Sequence, residues 1–341
     1  MFKIGITLAA ALALAPVTHN PAGAQEEGSF YQGRTVTVIV PSGAGGSYHL
    51  YCEIVSRHLG KHLPNNPTVI IQNRPGAGGA VAAAYMMNVA PKDGTMLAMI
   101  SPGSITDPLI RPQRYDATKF NWLGSVATRA QLIAVWHEAP AKTIEDLRRV
   151  QTTMAATGRS DAGFVVPSVI NAVLGTNMKI ILGYGSGGEM NQALERGEVH
   201  GRGNYYSGFA SVRPDWIRDK KIRFLTGIGP AVPELPDLPN VRQFVKPDTL
   251  EAKMLDLVEL NFNVGQAFYA PPDLAAKRID TMREAFGAML ADPALREDYR
   301  KRNLDFQPLS GEAIESKIEE AFKSANPEVV KRLRQVLTAE K

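Results

Sequence analysis

The chain of 341 residues carries 38 Lys and Arg against 34 Asp and Glu, for a net charge of +4, and is 44% hydrophobic. The charge is mild and evenly spread, with no basic run and no aromatic–basic interleaving, which argues against a nucleic-acid partner. The length is too great for one small core and suits two domains.

The first residues read as an export signal. Lys3 is the lone early charge, an apolar run spans Ile4 to about Ala15, and Pro16, Pro21 and Ala22-Gly23-Ala24 precede Gln25. Cleavage is expected after Ala24, making residues 1–24 a signal peptide. The run falls short of the roughly 20 residues a membrane span needs. The single cysteine, Cys52, is far from the cleavage site, so a lipid anchor is not expected, and it reads as a small buried apolar residue.

Thr35–Val40 is a β-branched apolar run, the pattern of a strand covered on both faces. Pro41, Ser42, Gly43, Ala44, Gly45, Gly46 and Ser47 then form a loop almost without side chains. Leu50, Ile54, Val55, Leu59 and Leu63 share one face of a helix starting at about Tyr48. Free N–H groups at such a helix start, together with the helix dipole, favour a carboxylate or phosphate. Glycines that serve only to turn the chain are the alternative.

The pattern repeats. Pro67–Gln72 reads as a strand, Asn73–Gly79 as a small-residue loop, and an alanine-rich helix runs to about Ala90. Met96–Ile100 is a third strand, ending at Ser101-Pro102-Gly103. Ligands of open α/β sheets sit at the carboxyl ends of strands, which makes Ser101 a further candidate. Asn121–Ala127 and Gln131–Trp136 read as strands that cross into a second domain. Thr143 and Asp146 resemble a capping box. Strands Thr153–Ala156 and Lys179–Leu182 are followed by loops Thr157–Gly163 and Gly183–Gly188, and these by helices Phe164–Leu174 and Glu189–Arg196.

Arg223–Ile228 is a further strand and Pro230–Pro239 a surface run. Asn263–Ala270 reads as a strand returning to the first domain, and Pro271-Pro272 opens a helix over Leu274–Leu290. From Ala294 onward the chain reads as helical, charged and packed on the outside. The expected division is 25–127 with 230–341 as one α/β domain and 128–229 as the other, with a cleft between them that closes about the crossing strands.

No cofactor or metal motif is complete. Gly183-Tyr184-Gly185-Ser186-Gly187-Gly188 fits G-x-G-x-x-G, but Glu198 is too near and Asn204 is not the acid a dinucleotide ribose needs. His58 and His62 stand i, i+4 with no cluster to complete a metal site, and beside Arg57 and Lys61 they read as a basic face. Gly158-Arg159-Ser160-Asp161-Ala162 lacks the second glycine of a nucleophile elbow, which leaves an exported hydrolase as an alternative. Arg159 and Ser160 otherwise offer a guanidinium fork and a hydroxyl to a carboxylate, or belong to a solvated loop. Tyr184, Tyr205 and Tyr206 read as cleft walls or as ordinary half-buried packing residues, and Asn204 is a further ligand-binding candidate.

Val40–Tyr48, Asn73-Arg74-Pro75-Gly76-Ala77-Gly78-Gly79, Ala90-Pro91-Lys92-Asp93-Gly94-Thr95 and Ala193–Val199 resemble, in this order, motifs of the Bug family. These are the extracytoplasmic solute receptors of tripartite tricarboxylate transporters. The resemblance implies a type II periplasmic binding-protein fold, with two α/β domains around a cleft and a strand hinge. It implies a monomer in the periplasm, a small organic acid as ligand, and membrane permease subunits as partners. It places the ligand among Ser42–Ser47, Thr157–Ser160 and Gly183–Ser186, the last including Tyr184 and Gly185. Two positions depart from the family pattern: His49 and His200 stand where Asp is frequent. A His donates to a carboxylate that an Asp repels, so His49 is expected either to alter ligand choice or merely to face water. A sensory binding protein on the same fold is a further alternative.

Overall fold

The computed structural model describes residues 29–338; the expected signal peptide and its cleavage site lie outside the described residues. Eleven strands form two mixed sheets among these residues. The first contains β1 (Thr35–Val40), β2 (Thr68–Asn73), β3 (Met96–Met99), β4 (Asn121–Ser125), β10 (Ala267–Ala270) and β11 (Leu309–Ser310), in the order β11-β4-β10-β3-β1-β2. The second contains β5 (Gln131–Trp136), β6 (Thr152–Ala155), β7 (Met178–Ile181), β8 (Gly201–Asn204) and β9 (Ile222–Ile228), in the order β7-β6-β8-β5-β9. β1 runs parallel to β2 and β3, while β10 runs antiparallel to both β3 and β4. In the second sheet β6 is parallel to β7 and β8, and β5 is antiparallel to β8 and β9.

The longer helices are α1 (Ser47–Leu59), α2 (Ala80–Asn88), α3 (Gly103–Ile110), α4 (Ala162–Leu174), α5 (Gly187–Glu195), α6 (Leu250–Val264), α7 (Ala276–Ala291), α8 (Pro293–Lys301), α9 (Gly311–Ser324) and α10 (Pro327–Thr338). They cover both faces of each sheet. Alternation along β1 sends Val36, Val38 and Val40 toward Ile54 of α1 and Phe286 of α7, and Ile39 toward Ala82 of α2 and Ile314 of α9. In the second sheet Ile133 and Met154 face Val166 of α4, while Ala134 and Ala155 face Leu194 of α5 and Trp216. Cys52 is buried on α1, and burial pushes its thiol pKa up, which makes it a poor nucleophile.

Three elements differ from expectation. The returning strand is only Ala267–Ala270, because α6 continues through Val264 and stops at Gly265, whose φ is 69°. Ser101-Pro102-Gly103 ends β3 as expected but leads directly into α3, a helix not expected from the sequence. Leu333 and Leu337 of α10 are fully buried, and this last helix packs against α4, α3 and α6 rather than lying on the outside. Each such leucine contributes about 1.5–3 kcal/mol of burial. The Thr143–Asp146 reciprocity is present: Asp146 accepts from the Thr143 N–H at 3.0 Å, and Thr143 Oγ1 accepts from the Asp146 N–H at 3.2 Å.

His58 and His62 each face a carboxylate on or beside α8: His58 Nε2 is 3.2 Å from Asp298, and His62 Nε2 is 3.2 Å from Asp292. Asp292 also caps α8 through the Ala294 N–H and pairs with Lys61 at 2.6 Å. The Lys61 ammonium and then the Ala294 N–H hold its carboxyl well below the usual carboxylate range. Its contribution is complete above the unfolded value of about 3.9 and is lost as pH falls through the lower folded value. Asp292→Asn should therefore lower Tm at pH 7 and flatten the loss of Tm on acidification. Acid curves that run parallel for the two proteins would contradict this.

Candidate ligand-binding cleft

The two lobes meet along their loops, and a small cavity lies between them. Ser42, Gly46, Ser47 and Tyr48 line it from the first lobe, and Thr157, Asp161, Arg202, Asn204 and Tyr205 from the second. Gln131, at the start of β5 where the chain enters the second lobe, completes the polar lining, and Met190 supplies an apolar patch.

The loop after β1 starts α1 with Gly46 as N-cap, so no side chain caps this helix, and no acid sits in its first turn. The two facing helices differ. Asp161 caps α4 by accepting from the Gly163 N–H, and Ser186 caps α5 by accepting from the Glu189 N–H. The start of α1 therefore keeps its donors and its positive dipole end for a guest.

Arg202 projects from β8 and is 5% exposed. Its Nη1 donates to the Gly187 carbonyl at 2.8 Å and to Asn191 Oδ1 at 2.7 Å. Its Nε is buried with no hydrogen-bond partner. Burial draws its pKa down to about 10, opposed by the Asp161 charge, so it remains cationic at neutral pH. Asp161 is already engaged: Oδ2 accepts from the Thr157 N–H and Oγ1, both at 2.9 Å, and Oδ1 accepts from the Gly163 N–H at 3.0 Å. Burial raises Tyr205 to about 12 and pushes Tyr48 well above its ordinary value, so both phenols stay protonated at neutral pH. Behind Tyr205 its ring face carries the Arg129 guanidinium at 4.0 Å, which also donates to Tyr51 and Ser207.

Backbone meets backbone at the rims. On one side the Gly43 N–H donates to the Gly185 carbonyl at 2.9 Å. A Cβ on Gly46 would lie 3.2 Å from the Gly187 nitrogen, and one on Gly188 would lie 3.0 Å from the Gly45 oxygen. On the other side a Cβ on Gly158 would lie 2.3 Å from the Gly78 nitrogen, and one on Gly103 would lie 2.1 Å from the Ser160 oxygen. Side chains at these positions would hold the lobes apart.

Of the residues expected at the site, Ser42, Gly46, Ser47, Thr157, Asn204 and Tyr205 line the cavity. Gly43 and Gly185 close one rim, Ala44 and Gly45 are exposed beside it, and Ser186 is spent on its helix cap. His49 lies outside the lining; its Nδ1 accepts from Asn73 Nδ2 at 3.1 Å, and the same amide holds the Ser42 carbonyl at 2.7 Å. Ser101 is buried against Gly79. Arg159 turns away, donating to the Leu337 carbonyl at 3.2 Å. Tyr184 packs half-buried in the core behind α5, and His200 accepts from the Thr153 N–H at 3.1 Å. Arg202, Gln131, Asp161, Tyr48 and Met190 were not singled out from sequence.

The enzyme-like motifs are otherwise engaged. Ser160 Oγ donates to the Asp107 carboxylate, which also pairs with Arg111 and accepts from Gln113. In the Gly183–Gly188 run the Gly185 N–H, which a phosphate would need, donates to Glu189 at 2.7 Å.

Residues 52–334 match the family model described as the tripartite tricarboxylate transporter family receptor. The chain belongs to this family. Its members are solute receptors rather than enzymes, and the chain is a receptor of this kind. It is 24% identical over 315 residues to a UPF0065 protein of Bordetella bronchiseptica, covering 90% of this chain and 86% of that one. It is likewise 24% identical over 318 residues to a UPF0065 protein of Agrobacterium vitis, covering 90% and 85%. The periplasmic binding protein BugD superposes with a TM-score of 0.73 at 19% identity, over 91% of this receptor and 100% of BugD. MatC of Rhodopseudomonas palustris, solved with bound malate, gives 0.68 at 18% identity over 89% and 99%. These likenesses establish the two-lobed fold. Among the receptor's described residues no helix is long and apolar enough to cross a membrane.

Proposed function

We propose that this receptor, exported and cleaved after Ala24, captures a small organic carboxylate between its lobes and delivers it as a monomer to the permease subunits of a tripartite tricarboxylate transporter. One observation carries the ligand class: buried Arg202, whose Nε has no hydrogen-bond partner, lines the same cavity as the uncapped start of α1. Malate in MatC, and adipate in another R. palustris protein of the same fold, support it.

The magnitudes fit a receptor that needs both lobes. A helix start gives an anion about 0.3–1 kcal/mol, or about 2 when partly buried. A hydrogen bond to a charged group adds about 1.5–3 kcal/mol. Micromolar affinity requires about −8 kcal/mol, so neither feature suffices alone. A thermal-shift screen with mono-, di- and tricarboxylates, aromatic acids and amino acids tests the reading. At 100 times its dissociation constant a true ligand adds about 2.7 kcal/mol of stability. A shift restricted to acids is the expected result. No shift with any acid, in protein shown by mass spectrometry to carry no ligand from purification, would refute it.

A further inference from the structure

We infer that the cleft is selective for a short monocarboxylate with a neighbouring hydroxyl or oxo group, and discriminates against di- and tricarboxylates; this rests on the carboxylate reading above. Three observations converge on it.

The first is charge. Among the residues lining the cavity, Arg202 is the one cation and Asp161 the one carboxylate. Asp161 already accepts three hydrogen bonds, from the Thr157 N–H and Oγ1 and the Gly163 N–H. A first ligand carboxylate gains Arg202 and the start of α1. A second would be buried without a counter-charge to offset its desolvation. Arg129, the next buried cation, stands behind the Tyr205 ring and is engaged with Tyr51 and Ser207.

The second is the chemistry of the remaining wall. Gln131 and Asn204 are 3% and 7% exposed, line the cavity, and offer neutral amides. The Tyr48 and Tyr205 phenols stand beside them. This set suits an uncharged oxygen rather than a second anion or a long alkyl chain.

The third is room. The cavity measures about 40 Å³, room for a few waters where about 10–15 Å³ holds one. Backbone meets backbone at Gly43–Gly185 on one rim and at Gly78–Gly158 on the other. An acid of about two to four carbons needs only a slight easing of the lobes. A tricarboxylate must break the Gly43–Gly185 hydrogen bond and part the rim.

The test is calorimetric titration of the exported protein, stripped of carried-over ligand by reversible denaturation. Glycolate, L-lactate and pyruvate are compared with propionate, malate, adipate and citrate. The expected result is that at least one hydroxy- or oxo-monocarboxylate binds at least about tenfold tighter than every di- and tricarboxylate and than propionate. Malate, adipate or citrate binding as tightly or more tightly overturns the inference and leaves the carboxylate function standing. Propionate equal to lactate and pyruvate overturns the requirement for the second oxygen. Binding of none of these acids overturns the inference together with the reading it rests on.

Discussion

Gly158→Val should weaken ligand binding at least about a hundredfold, equivalent to about 2.7 kcal/mol, and leave both lobes folded. Gly158 does not adopt a positive φ, so its own backbone accepts a side chain. What forbids one is the other lobe. A Cβ would lie 2.3 Å from the Gly78 nitrogen and 2.4 Å from the Ala77 carbonyl carbon. These are backbone atoms and have no rotamer through which to withdraw, so the lobes must separate. An acid held at Arg202 then loses the α1 donors, and one held at α1 loses Arg202. Calorimetry measures the affinity, and thermal unfolding checks that the lobes persist. Small-angle scattering should show that saturating ligand no longer compacts the variant. Wild-type affinity in a folded Gly158→Val protein would mean that the rim contacts are not needed for capture.

Arg202→Met should reduce affinity for any carboxylate by about tenfold to a hundredfold, since it removes a charged hydrogen bond worth about 1.5–3 kcal/mol and leaves Asp161 as the one charge in the lining. Because Arg202 also holds the Gly187 carbonyl and Asn191, the variant loses some stability at the start of α5. Arg202→Lys separates the two effects. It keeps the charge but not the planar fork, and should recover part of the affinity without restoring both structural bonds. If Arg202→Met remained folded and bound the acid as the parent does, Arg202 would be a structural residue alone.

β1 and its loop were legible because six successive apolar and β-branched residues followed by glycines admit few interpretations. β8 was not. Gly201-Arg202-Gly203-Asn204 has no β-branched residue and two glycines, which ordinarily weaken a strand. In the fold it lies between β6 and β5, and crowding demands those glycines: a Cβ on Gly201 would sit 2.5 Å from the Ala134 oxygen, and one on Gly203 would sit 2.5 Å from Gln131 Nε2. Missing the strand hid Arg202. Asp161 could have been found as a helix N-cap, since it directly precedes the apolar run of α4.

Arg159 and Ser160 illustrate a different limit. Their chemistry suited a ligand, but their partners are Leu337 and Asp107, remote in sequence, and no local pattern announces them. The two-lobed architecture and the Ser42–Ser47 loop came through because strand–loop–helix units recur along the chain and because the motifs resemble those of the receptor family. Which loop donors are already spent on caps, and which remain free, depends on contacts that only the folded chain makes.

The placement of β10 between β3 and β4 has a consequence for how the chain acquires its shape. The second sheet draws all its strands from one uninterrupted stretch, Gln131–Ile228, and can assemble as soon as that stretch is available. The first sheet cannot. Its parallel strands and β4 have no link until Ala267–Ala270 arrives, after the whole of the second sheet in the chain. Non-local pairing of this kind is slow because loop closure must precede any gain in contacts. Until β10 inserts, β3 presents an open edge that invites pairing with another chain. The second lobe should therefore nucleate first, with the first lobe completing last and setting the aggregation hazard. Pulse-labelled hydrogen exchange during refolding should protect the amides of β5, β6 and β8 before those of β3 and β10, and simultaneous protection would argue for a single cooperative step.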